Sequence, residues 1–370
     1  MTAPGAAQPK ASSRAGVRPI ALLGRGLRTL AGALATPLVP EDFLDLIDPL
    51  RSGADLRGRV LAVEPEGPGA TTLTIRPGRG WRPHRPGQYT RIGFDVNGVR
   101  RWRAYSITSP IGLPGIITVT VRAIDGGIVS HYVRDELRPG TVVHLDQATG
   151  DFVLPDEPPP AALFLTAGSG ITPVMGMLRN APLPGDVVVV HSAPTRRESL
   201  FLHELEGLHE DGRIRLVARF TADEGILRPA DLDAVVPDWR DRHTWACGPT
   251  AMLDDAQEHW EAEGLPDRLH TERFRPTVHA VGDGGAMTFA RSGVTVDVDA
   301  ATTMLDAGED AGVLMPSGCR MGICFNCVLP LVEGSVRDLR TGDLTTASPE
   351  DPVRVQTCVS VPAGPCRLNH

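Results

Sequence analysis

No stretch of this 370-residue sequence is apolar and uninterrupted over the about 20 residues that a membrane-crossing helix requires. The nearest approach, residues 20–38, is broken by Arg25 and Arg28 and lacks the clean apolar core and cleavage site of a secretory signal. The sequence therefore reads as that of a cytoplasmic protein. A basic excess is missing too: the formal net charge is −8, which excludes the chain as a whole from nucleic-acid binding. Acid is absent only locally. Residues 1–40 hold Lys10, Arg14, Arg18, Arg25 and Arg28 and no Asp or Glu. Cysteine is absent from the first 246 residues, and five of the six cysteines fall in the last 52. Such clustering in a large cytosolic chain indicates metal binding or redox chemistry before disulfides. Tyrosine is scarce, with only Tyr89, Tyr105 and Tyr132.

What is present has the balance of a soluble globular protein, 41% hydrophobic and 22% charged, and a length that predicts two or three domains. Residues 1–17, rich in Ala, Pro, Ser and Gly, predict disorder. Leu23, Leu27, Leu30 and Leu34 then recur at helical spacing, and a second short helix is expected over 41–50. Residues 1–55 thus form a basic, partly disordered and helical extension. Over 56–157, β-branched or alternating runs at 60–64, 71–76, 91–96, 99–107, 116–123 and 142–145 predict a small antiparallel barrel. Asn97-Gly98 is its hairpin turn, and one helix is expected over 128–136. Over 158–275 the pattern becomes strand, glycine turn, helix, strand. Strands are expected at 161–166, 186–191, 213–220, 243–246 and 269–274, and helices at 173–179, 200–208 and 251–263, the signature of a doubly wound α/β domain. Residues 276–285 read as a linker. Residues 286–370 form a third unit with strands, a helix over 303–311 and a cysteine-bearing loop. The whole is a multidomain α+β and α/β chain.

The cysteine spacing is Cys319-x4-Cys324-x2-Cys327, with Cys358 downstream. Plant-type [2Fe–2S] ferredoxins use this C-x4-C-x2-C…C arrangement. Three thiolates must converge from one tight loop, and Ser317, Gly318 and Gly322 supply its flexibility. The alternatives are a structural zinc site or unrelated buried thiols. A zinc finger more typically shows two C-x2-C pairs or a Cys/His mix. Cys366 is left over as a spectator.

Arg103, Tyr105 and Ser106 follow the hairpin. A flavin needs a flat partner for its ring, a cation for its pyrophosphate and a hydrogen-bonding group near N5, and these residues supply the three. Gly127 and Ser130 open the helix that follows, where free N–H groups favour a pyrophosphate. The alternative is an ordinary helix capped by Ser130. Downstream, Gly168, Gly170 and Thr172 lie in a GSGITP turn between a buried strand and a helix, where glycines let backbone approach a phosphate. A tight βα turn without ligand is the other reading. Cys247, Gly248 and Pro249 end a further strand, on the side where parallel strands face their ligand. There a thiol packs beside a nicotinamide without charge; a small core residue is the alternative.

In this order, R-x-Y-S at 103–106, G-x-x-S at 127–130, GSGITP at 168–173 and CGP at 247–249 resemble the ferredoxin–NADP reductase superfamily. Glu272 and Phe274 match the E-x-F that often closes its nucleotide domain. The cysteine pattern resembles plant-type ferredoxins, which implies a β-grasp fold over 286–370. The segments 40–49 (PEDFLDLIDP) and 80–89 (GWRPHRPGQY) resemble actinobacterial ferredoxin reductases that serve membrane acyl-CoA desaturases. The resemblance implies that Arg103 contacts FAD phosphate, Tyr105 packs on the isoalloxazine, Ser106 bonds near N5, and Gly127 and Ser130 hold the pyrophosphate. It places Gly168, Gly170 and Thr172 on the nicotinamide nucleotide, with Cys247 near the nicotinamide and Glu272 and Phe274 at the flavin edge.

Nicotinamide nucleotides give two electrons as hydride, clusters accept one at a time, and flavin does both, so the order NAD(P)H, FAD, [2Fe–2S], acceptor follows. NADPH is the expected donor, with NADH the alternative, because Arg196, Arg197 and Arg219 stand near strand ends and no acid directly ends the 186–191 strand. The acceptor reading is a membrane di-iron desaturase or hydroxylase, the basic N-terminal stretch touching anionic lipid peripherally. The Leu stripe packing on the chain's own barrel is the plainer use of that helix. A soluble cytochrome P450 or Rieske oxygenase is the second acceptor reading, and a non-catalytic redox sensor the third.

Overall fold

The computed structural model describes residues 47–51, 55–111, 115–180, 183–274, 280–322 and 325–370. The Leu-stripe helix and most of the short helix expected over 41–50 lie outside these residues. No helix among the described residues is long and apolar enough to cross a membrane.

Strands β1 (Arg57–Pro65), β2 (Ala70–Pro77), β3 (Tyr89–Val96), β4 (Val99–Ser106), β5 (Ile117–Arg122) and β6 (Val142–Leu145) make an antiparallel sheet in the order β4-β3-β6-β1-β2-β5. The sheet curls closed: beyond the end of β4, Ile107 bridges Val119 and Thr108 N–H donates to the Thr118 carbonyl at 2.8 Å. Asn97 and Gly98 take φ of +52° and +79° between paired Val96 and Val99, the left-handed pair that a twisted two-residue hairpin needs. Inward residues such as Val60, Leu73, Ile75, Ile92 and Phe94 fill the barrel. Helix α1 (Ile128–Asp135) packs across it through Val129 and Val133.

The second unit is a five-stranded parallel sheet ordered β11-β10-β7-β8-β9, from β7 (Ala161–Ala167), β8 (Asp186–Ala193), β9 (Arg215–Phe220), β10 (His243–Cys247) and β11 (Leu269–Glu272). Its faces explain the continuous valine run in β8. Val187 and Val189 point to one core with helices α2 (Ile171–Leu178) and α3 (Leu202–Glu210). Val188 and Val190 point to the other with α4 (Thr250–Ala262). A strand covered on both faces has no polar side, and each buried valine contributes about 1.5–3 kcal/mol of transfer free energy. Helix α2 begins at Ile171 rather than at 173, because a 3-10 turn over Gly168–Gly170 leads straight into it.

The third unit joins β12 (Gly285–Phe289), β13 (Thr295–Val298), β14 (Val328–Asp338), β15 (Leu344–Ala347), β16 (Val353–Gln356) and β17 (Ser360–Leu368) in one mixed sheet. Its core takes in Met304 and Leu305 of helix α5 (Met304–Asp310), which Thr303 caps by accepting from Asp306 N–H. Cys366 is buried in this core, where desolvation pushes its thiol up to about 11.

Candidate functional site

The carboxyl ends of the parallel strands open into a cleft of about 770 Å³. Gly168, Ser169 and Gly170 line it at the end of β7, and Gly248, Pro249 and Thr250 at the end of β10. Ser192 to Pro194, Thr221 and residues 226–229 line the β8–β9 side, and Arg122, Arg273 and Phe274 the remaining wall. The two glycines of the turn answer to different needs. A Cβ on Gly170 would stand 2.0 Å from the Cys247 carbonyl oxygen, so this glycine lets the two turns meet. Gly168, at φ +56°, has open space where its Cβ would be and leaves the cleft accessible. Thr172 turns its hydroxyl inward, donating to the Ser169 carbonyl at 2.9 Å and tying the turn.

Cys247 is fully buried below the cleft surface, and desolvation, with Glu272 beside it in register, pushes its thiol well up. Glu272 is itself displaced: burial raises its carboxyl to about 8, and Oε2 has no partner among the described residues. Phe274 stands just past the end of β11, 43% exposed at the cleft.

In β4 the predicted flavin residues share one short segment. Ser106 is buried with its Oγ unpartnered among the described residues. Tyr105 meets Phe94 edge-on at 6.4 Å, and burial pushes its phenol up. Arg103 donates to the Trp102 carbonyl at 2.8 Å and lies 3.6 Å from Glu309. Desolvation, then the neighbouring guanidinium of Arg320, lowers its pKa. At the start of α1, Ser130 does not cap the helix. Gly127 is the N-cap, and Ser130 Oγ donates to the Gly127 carbonyl at 3.0 Å and accepts from Ile124 N–H at 3.3 Å. A buried hydroxyl without a partner and a desolvated cation beside a second guanidinium fit a flavin nucleotide, which brings an acceptor and a pyrophosphate.

Cys324 lies outside the described residues. Cys327 and Cys358 place their sulfurs 3.1 Å apart in a buried setting. Their contact pushes one thiol, Cys327, down and the other, Cys358, up. Cys319 Sγ accepts from Met321 N–H at 3.3 Å. Arg320 and Phe325, at φ +60° and +58°, are two of four described non-glycine residues in left-handed backbone, and both sit on this loop. Such strain marks loops whose shape the surroundings impose. The imposing contacts are visible: the Gly322 carbonyl accepts from Arg340 at 2.9 Å and from Gln356 at 2.8 Å. Converging thiols with backbone N–H at sulfur fit an iron–sulfur cluster.

The structure brings the cysteine loop against the flavin strand. Arg320 Nε donates to the Trp102 carbonyl at 3.0 Å, and Arg91 donates to the Ser317 carbonyl. Helix α5 adds Asp310 on Arg101 at 2.7 Å, with Glu309 reaching toward Arg103 and bonded to Arg320. Sequence reasoning missed Arg91, Arg101, Glu309, Asp310 and Arg320, whose contacts between the two units span more than 200 residues and leave no periodic signal, and also Arg340 and Gln356, whose bonds to Gly322 span 18 and 34. Arg196 pairs with Glu206 at 2.6 Å and Arg219 folds back onto Glu224. Arg196, Arg197 and Arg219 are not among the cleft residues, which do include Arg228.

Comparison with known proteins agrees with this geometry. Residues 83–154 match the oxidoreductase FAD-binding domain, and residues 287–363 the 2Fe-2S iron-sulfur cluster binding domain. An NADPH oxidoreductase of Mycobacterium tuberculosis is 49% identical over 352 residues, covering 93% of this chain and 92% of that protein. A glycine betaine monooxygenase reductase subunit of Pseudomonas aeruginosa is 29% identical over 317 residues, covering 76% and 85%. Phthalate dioxygenase reductase shares the fold at a TM-score of 0.61 and 19% identity, over 85% of this chain and 97% of its own. The chain belongs to the ferredoxin reductase-type NAD(P)H oxidoreductases that join a FAD-binding unit to a C-terminal [2Fe–2S] unit.

Proposed function

We propose that this protein is the reductase component of an oxygenase system and that its acceptor is a membrane di-iron acyl desaturase. The observation that carries the electron route is the docking of the cysteine loop on β4, by Arg320 on the Trp102 carbonyl and by Arg91 on Ser317. When bound, FAD takes up hydride from NAD(P)H and releases electrons singly, which the [2Fe–2S] cluster accepts. Arg103, with Gly127 and Ser130 at the start of α1, would hold the FAD phosphates, while Tyr105 and Ser106 would face the ring. Gly168, Gly170, Thr172, Gly248 and Pro249 shape the seat of the nicotinamide nucleotide. Cys247 keeps a neutral thiol under the nicotinamide end, and Glu272 with Phe274 borders the flavin edge. Cys319, Cys324, Cys327 and Cys358 would ligate the irons.

The desaturase acceptor is supported by the likeness of residues 40–49 and 80–89 to reductases of that kind. NADPH as donor is supported by the name of the Mycobacterium tuberculosis relative. A soluble oxygenase is the second reading, favoured by the glycine betaine monooxygenase relative. Reconstitution of the full chain and NADPH with a desaturase in vesicles or with a soluble oxygenase separates the two, since turnover only with the soluble partner would overturn the first. The electron route has its own test. Cys324→Ser is expected to keep NAD(P)H-driven ferricyanide reduction and to lose cytochrome c reduction; survival of both would refute the ligand assignment.

A further inference from the structure

Two guanidinium groups from different units meet on one backbone carbonyl. Arg103 of β4 donates from Nη1 to the Trp102 carbonyl at 2.8 Å, and Arg320 of the cysteine loop donates to the same oxygen from Nε at 3.0 Å. Like charges this close repel unless an anion lies between them. Glu309 of α5 supplies it. Its side chain is only 3% exposed, Oε1 accepts from Arg320 Nη2, and Oε2 lies 3.6 Å from Arg103 Nη1. No carboxylate of its own barrel pairs with Arg103 among the described residues.

The two arginines are left in different states. Arg320 is engaged at all three nitrogens, by the Trp102 carbonyl, Asp306 and Glu309. Arg103 is engaged at one, and its Nε and Nη2 make no hydrogen bond among the described residues. Glu309 Oε2 is buried and likewise lacks a hydrogen-bond partner among them. A buried carboxylate oxygen in that position is unfavourable unless a cation stands by it. Oε2 thus attracts Arg103 from 3.6 Å without closing a hydrogen bond on it. The Nη1 side of the guanidinium is fixed, and the Nε–Nη2 edge stays open. That edge is a planar two-donor fork, the shape that matches phosphate oxygens.

We propose that Glu309 is a positioning residue for FAD: it holds Arg103 with its fork free for the flavin phosphates, so that the [2Fe–2S] unit contributes a residue to the flavin site of the neighbouring barrel. This rests on reading Arg103 as the residue that meets those phosphates. Riboflavin has the isoalloxazine and no phosphate, so the preference of the protein for FAD over riboflavin reports on Arg103 separately from the ring. The full-length protein is equilibrated with mixtures of the two flavins, and the flavin retained after desalting is quantified by chromatography. The electron paramagnetic resonance signal of the reduced cluster reports that each variant is folded and loaded. In Arg103→Ala the preference is expected to fall on the order of 10- to 100-fold, the size of a charge-assisted hydrogen bond. Glu309→Gln, similar in shape but without the charge, should lower it on the order of tenfold and leave riboflavin binding alone. Glu309→Asp, charged but one methylene shorter, should fall between Glu309→Gln and the parent, and carries the test where Glu309→Gln does not load. In the Arg103→Ala background Glu309→Gln should change nothing further, because the carboxylate acts through the arginine. An unchanged or raised preference in the Glu309 variants that load overturns the proposal. An equal loss of both flavins overturns it as well, and so does an undiminished effect of Glu309→Gln once Arg103 is gone. If Arg103→Ala also leaves the preference unchanged, the flavin reading of Arg103 falls; if only Arg103→Ala lowers it, the role of Glu309 alone falls.

Discussion

Glu272 and Cys247 end neighbouring parallel strands, and each is held in its neutral form by burial. For Glu272 this has a stability consequence. Its carboxyl is raised from 4.5 to about 8, so over that window the folded chain keeps a proton that the unfolded chain releases. Stability from this source is full below the ordinary carboxyl value and is lost as pH rises through about 8, a change on the order of a few kcal/mol. Glu272→Gln stays neutral throughout. Melting temperatures of variant and parent are expected to diverge in the variant's favour between about pH 5.5 and about pH 8.5. An equal offset at both pH values would show that the acid is not buried as described.

Helix α2 is apolar apart from Thr172, and all eight of its residues are buried. It is wedged between the parallel sheet and the barrel, and Gly176 is what lets it in. A Cβ there would stand 2.4 Å from the Ile107 carbonyl oxygen, at the point where the barrel closes. Gly176→Ala is therefore expected to destabilise the protein by about 1–3 kcal/mol despite alanine's better helix propensity. Chemical denaturation monitored by far-UV circular dichroism measures it, and a stabilised Gly176→Ala would contradict the close contact. The same helix shows how a boundary is misread. Proline suits a first helical turn, so the sequence places the start at Pro173, whereas the preceding 3-10 turn moves it to Ile171.

Across the whole molecule, the [2Fe–2S] unit rests on the flavin barrel through charge. Arg101, with only 9% of its side chain exposed, has Asp310 at 2.7 Å, and Arg103 and Arg320 converge on the buried Glu309. Reversing the partner of a desolvated arginine is far costlier than losing a surface pair. Asp310→Arg is expected to slow NADPH-driven cytochrome c reduction on the order of tenfold. Ferricyanide reduction, which needs no docked cluster, should stay near the parent rate. Stopped-flow traces of flavin and cluster absorbance would locate the slow step, and parallel loss of both activities would point to general misfolding instead.

The amino-acid sequence by itself determined whatever rests on short-range physics. The thiol spacing from Cys319 to Cys327 depends on one loop, and the Asn97-Gly98 hairpin on two left-handed dihedrals. The glycine turn before α2 and the valine run of β8 follow from local backbone freedom and two-sided burial. Only the tertiary structure decided which arginines line the cleft at the carboxyl ends of the parallel strands, that Gly170 serves packing while Gly168 faces the opening, and that Glu309 and Asp310 meet Arg103 and Arg101. The reason is physical. Desolvation and charge pairing are set by whichever groups fold into contact, and here those groups stand up to about 200 residues apart in the chain, beyond the reach of any periodic signal.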